Sequence, residues 1–133
     1  MTISEKYVLM CDDFRREDNG KIIIIGMYFG EMTVPSLPFV LPTLTVFCLL
    51  EADRPGTSRF SFSLKHEEGG QVLAEGMGQM PVADFRQPIV MPIKMGGLQI
   101  NAAGLYTFSL LIDNQTPIVN QFNVRLMVPG AVR

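Results

Sequence analysis

From Gly104 to Val128 the chain reads GLYTFSLLIDNQTPIVNQFNVRLMV, two runs of period-two alternation joined by a short polar connector. Tyr106, Phe108, Leu110 and Ile112 fall on one face of the first run, with Thr107 and Ser109 among the residues opposite. In the second run Ile118, Asn120, Phe122, Val124, Leu126 and Val128 alternate with Val119, Gln121, Asn123, Arg125 and Met127. Successive strand side chains leave on opposite faces, so alternation this long demands half-buried antiparallel strands. Asp113 to Thr116 are turn-prone, and Pro117 has no N–H to give a ladder. The chain therefore reads as an all-β domain closed by a C-terminal hairpin, with Phe108, Leu110, Phe122 and Val124 in its core.

The rest of the chain keeps to the same grammar. Tyr7–Phe14 and Lys21–Phe29 read as strands around Asn19-Gly20, a pair suited to a type I′ turn with Gly20 at positive φ. The second of these, KIIIIGMYF, is apolar on both faces, which predicts a central strand covered on both sides. Gly26 within it predicts a bulge or a close backbone approach. Val34–Pro42 holds three prolines and reads as a crossover between sheets or a covered edge. Further strands follow at Thr43–Glu51, Arg59–His66, Gln71–Glu75 and Gln87–Met95. The sum is eight or nine strands, and no apolar helical period runs for three turns. We expect one antiparallel β-sandwich over residues 1–133, of jelly-roll or Greek-key type.

Composition narrows the partners. Of 133 residues, 47% are apolar and 18% charged, with a net charge of −2, which places the chain among folded globular domains. No basic stripe exists to neutralise phosphates, so no nucleic acid is expected. No run approaches the roughly 20 apolar residues that cross a bilayer, so no membrane is expected either. Glu5 stands where a secretory leader would turn apolar, and a cytoplasmic location follows as the expectation. Cys11 and Cys48 have no metal-type spacing and read as small buried hydrophobes, able to pair only if their strands are neighbours.

The first hairpin carries Met10-Cys11-Asp12-Asp13-Phe14, then Asn19-Gly20-Lys21, then Ile25-Gly26-Met27-Tyr28. This resembles a family of short uncharacterised bacterial proteins that open with a Cys-Asp-Asp strand, a Gly-Lys turn and an Ile-Gly-x-Tyr strand. Ala103-Gly104-Leu105-Tyr106 and the alternation after it resemble that family's closing strand. The resemblance implies a single β-sandwich domain of unknown function and brings no catalytic or binding residue with it.

Few residues could carry chemistry. Asp12, Asp13, Glu17 and Asp18 are the candidate calcium ligands, since calcium takes several carboxylate and carbonyl oxygens. The competing reading is a solvated, self-neutralised hairpin. Both faces upstream of Asp12 and Asp13 are apolar, so one carboxylate should lean on the core rim. There it needs a donor, from Arg15, Arg16 or a turn amide. His66, the one histidine, reads as a surface turn residue beside Glu67 and Glu68. The glycine pairs lack the strand-to-helix setting of a phosphate loop. With one histidine and two isolated cysteines no catalytic constellation assembles, and neither an enzyme nor a cofactor is expected.

The apolar excess points elsewhere. Methionines cluster between residues 76 and 96, and methionine is over-used at adaptable contact surfaces. Phe39, Leu41, Met91, Ile93 and Met95, on proline-punctuated segments expected at sheet edges, are the candidate interface residues. The expectation is a non-enzymatic interaction or assembly module of a bacterial or phage-related system, binding itself as a homo-oligomer or another protein. The alternative is a ligand- or calcium-binding β-sandwich using the loops near Asp12–Asp18.

Overall fold

The computed structural model describes Met1–Val128; residues 129–133, the end of the expected domain, lie outside the described residues. Nine strands follow one another without an intervening helix among the described residues: β1 (Ile3–Arg16), β2 (Ile22–Tyr28), β3 (Glu31–Val34), β4 (Phe39–Ala52), β5 (Gly56–His66), β6 (Val72–Val82), β7 (Ile89–Ile100), β8 (Gly104–Ile112) and β9 (Ile118–Leu126). They form a four-stranded sheet in the order β2-β1-β4-β7 and a five-stranded sheet in the order β3-β9-β8-β5-β6. Among the described residues no helix is long and apolar enough to cross a membrane.

One core joins the sheets, built by the alternation read above. The four-stranded sheet sends in Met10 from β1, Leu44, Val46, Cys48 and Leu50 from β4, and Ile93 and Met95 from β7. The five-stranded sheet answers with Leu64, Tyr106, Phe108, Leu110, Phe122 and Val124, all buried. Register explains the aromatic pairs. Tyr106 lies opposite Phe122, and their rings stack at 5.4 Å. Phe62 stacks on Phe108 at 6.0 Å. Each such side chain removes enough apolar surface from water to contribute about 1.5–3 kcal/mol. The polar tip of Tyr106 is satisfied at the rim, its hydroxyl donating to Ala102 O at 2.7 Å. Two amide side chains also tie the sheets together. Asn120 Nδ2 donates to Val8 O, and Gln115 Oε1 accepts from the Ile3 amide.

The closing hairpin is β8–β9, and all four of its expected core residues are buried. Four expectations need correction. The pairing is not wholly antiparallel, because β3 runs parallel to β9. Residues 35–38 do carry the chain from one sheet to the other, but Phe39–Pro42 already belongs to β4, an interior strand. Pro42 is tolerated there because β1 pairs β4 only over Thr45–Ala52, leaving Pro42 with a neighbour on one side. The first turn is not type I′, since Asn19 is not at positive φ. Gly20 N donates to Glu17 O and Gly20 alone is left-handed, at φ 86°, the form of a three-residue loop with a glycine bulge. Finally, β2 is an edge strand with one partner, β1.

Candidate functional site

The four candidate calcium ligands do not gather. Asp12 accepts a hydrogen bond from the Tyr28 hydroxyl at 2.8 Å. Asp13 takes Lys94 Nζ at 3.1 Å and the Phe14 amide at 2.8 Å. Glu17 and Asp18 stay exposed at the turn. No three Asp, Glu, His or Cys side chains converge among the described residues. The donors that the first two acids needed come from Tyr28, Phe14 and Lys94, not from Arg15 or Arg16.

This arrangement also explains why Asp12, Gly26 and Tyr28 occur together. Asp12 lies opposite Gly26, between the register pairs Cys11–Met27 and Asp13–Ile25. A side chain at Gly26, which sits at φ 66°, would overlap the Asp12 carboxylate. Glycine thus leaves space for the carboxylate, and Tyr28 fixes it in place. Burial first, then the bond to Asp12, pushes the Tyr28 hydroxyl well above the ordinary tyrosine range. Asp13 is held below the ordinary carboxylate value, first by the Phe14 amide and then by Lys94.

The five candidate interface residues serve the protein's own interior. Leu41, Ile93 and Met95 are buried in the core, and Phe39 and Met91 pack against it. His66 is not a surface residue. It continues the inward row of Phe60, Phe62 and Leu64, 6% exposed, with its ring 4.8 Å from that of Tyr106. Nδ1 accepts from the Gly69 amide at 3.1 Å, so Nε2 carries the proton it donates to Ala103 O at 2.9 Å. Both nitrogens are thereby committed to backbone. The cysteines stay free although β1 and β4 are neighbours. Cys11 pairs with Thr45 and Cys48 with Val8, which puts the two thiols on opposite faces. Burial raises both, Cys48 to about 12.

What remains are the two outward faces, and they differ. On the five-stranded sheet the register rows are Met77–Ser61–Leu111, Glu75–Ser63–Ser109–Val119 and Lys65–Thr107–Gln121. Hydroxyls, amides and charges dominate, as on a solvated face. The small serines there leave open grooves of about 610 and 420 Å³ beside Met77 and Leu111. On the four-stranded sheet the rows are Tyr7–Leu49–Val90, Leu9–Phe47–Pro92 and Met27–Cys11–Thr45–Lys94, with Ile25 opposite Asp13 and Ile23 opposite Arg15. Phe14 covers part of this face, its ring 5.8 Å from that of Phe47 and capped by Lys94 Nζ at 4.8 Å. Cys11, Thr45 and Phe47 are buried beneath.

Toward the free edge none of the described residues covers the face. Tyr7 is 61% exposed, Ile23 44%, Ile25 38%, Met27 41% and, just past the strand, Phe29 84%. Sequence reasoning did not select these residues. For all but Tyr7 the signal was the two-sided apolarity of KIIIIGMYF, which speaks of cover on both faces without saying what supplies it.

No curated protein matches the chain. Among solved structures, a beta-glucosidase from Listeria innocua in complex with isofagomine is similar over 71% of this chain at 11% identity, with a TM-score of 0.42, and the chain spans 14% of that protein's length. The model of DUF6941, a family of unknown function, matches residues 6–125, and the chain belongs to that family.

Proposed function

We propose that this protein is a non-enzymatic interaction or assembly module, a β-sandwich of the bacterial cytoplasm that binds protein through the outer face of its four-stranded sheet. One observation carries the reading: that face is apolar from Tyr7 and Leu9 across to Val90 and Pro92, while on the other sheet Met77, Leu111 and Val119 stand among serines, threonines and charges. A sheet apolar on both sides is the pattern of a sheet covered on both sides. Large exposed apolar patches on soluble proteins mark contact surfaces. Two free, buried thiols suit a reducing compartment.

The test is a double variant, Tyr7→Glu with Met27→Glu, which charges two exposed positions and leaves the core intact. Light scattering reads association with itself, and chemical cross-linking in the producing cell reads association with other proteins. The variant should lose the wild-type association and, at concentrations too low for association, unfold at the wild-type midpoint. Equal association of variant and wild type in both assays would overturn the proposal.

A further inference from the structure

Resting on that reading, we propose that the apolar face is extended by a second copy of this chain, joined at the free edge by antiparallel pairing of β2 with its own symmetry mate. The two four-stranded sheets would then continue as one eight-stranded sheet. A free strand edge is a template for another chain unless charge, proline or brevity blunts it. The described residues leave four edges, β2 and β7 on one sheet and β3 and β6 on the other. β7 carries Pro92 and Lys94, and β6 carries Glu75 and Pro81. β3 is only four residues long and includes Glu31. β2, IIIIGMY, has seven residues with neither charge nor proline.

The same strand is complementary to itself. A two-fold contact brings each residue against its counterpart, so charges near the axis would repel and apolar residues would not. Antiparallel pairing about the middle of β2 sets Ile25 against Ile25 of the second copy and Ile23 against Met27 of the second copy. The left-handed Gly26 interrupts the ladder once per copy, opposite Ile24, on either side of that central pair. The outward row then becomes continuous across the axis, flanked by Phe29 and Tyr7. In-plane pairing covers the backbone edge of β2 and the flanks of Ile23, Ile25 and Met27, less than the ~1,200 Å² of stable interfaces, so the contact is a weak one.

Light scattering on the full chain at about 100 µM should report twice the 14.8 kDa chain mass, for a micromolar contact of minimal size. Ile25→Lys should raise the dissociation constant at least ~10-fold and leave the thermal midpoint of the dissociated protein unchanged, because two ammonium groups would meet on the axis. Ile25→Cys supplies the register test. Directly opposed strand residues bring their Cβ atoms within about 4.5–5.5 Å, close enough for a disulfide after a small adjustment. Mild oxidation should therefore trap an Ile25→Cys dimer, while Gln79→Cys on β6 gives none, and the buried native thiols do not compete. A monomer at 100 µM, a dimer that Ile25→Lys leaves intact, or equal cross-linking of the two cysteine variants each overturns self-pairing. The broader interaction reading fails separately, only if the Tyr7→Glu/Met27→Glu variant also keeps every cross-link that the wild type makes in the cell.

Discussion

Replacing Gly26 by alanine would place a methyl carbon 2.9 Å from the Asp12 Cγ, on a backbone held at φ 66°. Two costs follow, and they can be separated. The left-handed conformation costs an L-residue about 1–2 kcal/mol wherever it is imposed. To admit the methyl group, the Asp12 carboxylate must also swing away and give up the 2.8 Å bond from the Tyr28 hydroxyl. A hydrogen bond to a charged group contributes about 1.5–3 kcal/mol, and Asp12 is half-buried, so water recovers part of the loss. The sum is about 3 kcal/mol, a large share of the 5–15 kcal/mol that holds a domain together. In an Asp12→Ala background the methyl group has nothing to displace, and Gly26→Ala should cost only the backbone share. Urea unfolding at neutral pH, at protein concentrations low enough to keep association out of the measurement, gives the double-mutant cycle. A coupling of about 1.5 kcal/mol or more is expected, with Tyr28→Phe losing a similar amount alone. If the coupling falls below ~0.5 kcal/mol, the packing of Asp12 over Gly26 does not hold the first hairpin.

Phe108→Ala should cost about 3–5 kcal/mol, because it empties a fully buried site beside Phe62, and a loss under ~1 kcal/mol in thermal unfolding would defeat the core assignment. Asp113 is held below its ordinary value of 3.8, first by the Arg59 amide. Its folded value lies below its unfolded one, so its contribution is complete above pH 3.8 and lost as pH falls through the lower folded value. Asp113→Asn should accordingly flatten the acid limb of stability against pH, and an unchanged limb in denaturant titrations below about pH 4 refutes this. Cys11 and Cys48 are buried with thiols raised by that burial, so a thiol reagent at pH 8 should label neither until the protein unfolds; fast labelling of the native protein would contradict their placement.

The closing hairpin was legible in the sequence because its evidence is local. Tyr106 to Ile112 and Ile118 to Val124 each state their inward face by alternation, and the connector between them is short. His66 was misread for a related reason. Its acidic neighbours Glu67 and Glu68 suggest a turn, yet its parity with Phe60, Phe62 and Leu64 already pointed inward. The partners that confirm this, Ala103 and Tyr106, stand some forty residues away. Tyr28 as the donor to Asp12 was hidden likewise, because only the hairpin register brings residues 16 apart in sequence to adjacent strands.

The reading of β2 failed most instructively. Apolar residues on both faces say that a strand is covered twice, and this inference from Ile22–Tyr28 is sound as far as it goes. What it leaves open is whether the cover belongs to the same chain, because strand order is decided by β4, which occupies the other side of β1 and takes β7 as its far neighbour. Once β4 stands between β1 and β7, β2 has no second neighbour among the described residues, while its composition remains that of an interior strand. The proline-rich segments around Phe39 and Ile93 show the converse. Their prolines suggested edges, and β7 with Ile93 is one, yet Leu41 and Ile93 are core, and Pro42 is accommodated where β1 no longer pairs with β4. Proline reports a missing N–H at one residue, whereas two-sided apolarity reports the surroundings of a whole strand. The residues that follow from the second signal, Ile23, Ile25 and Met27, are left facing outward.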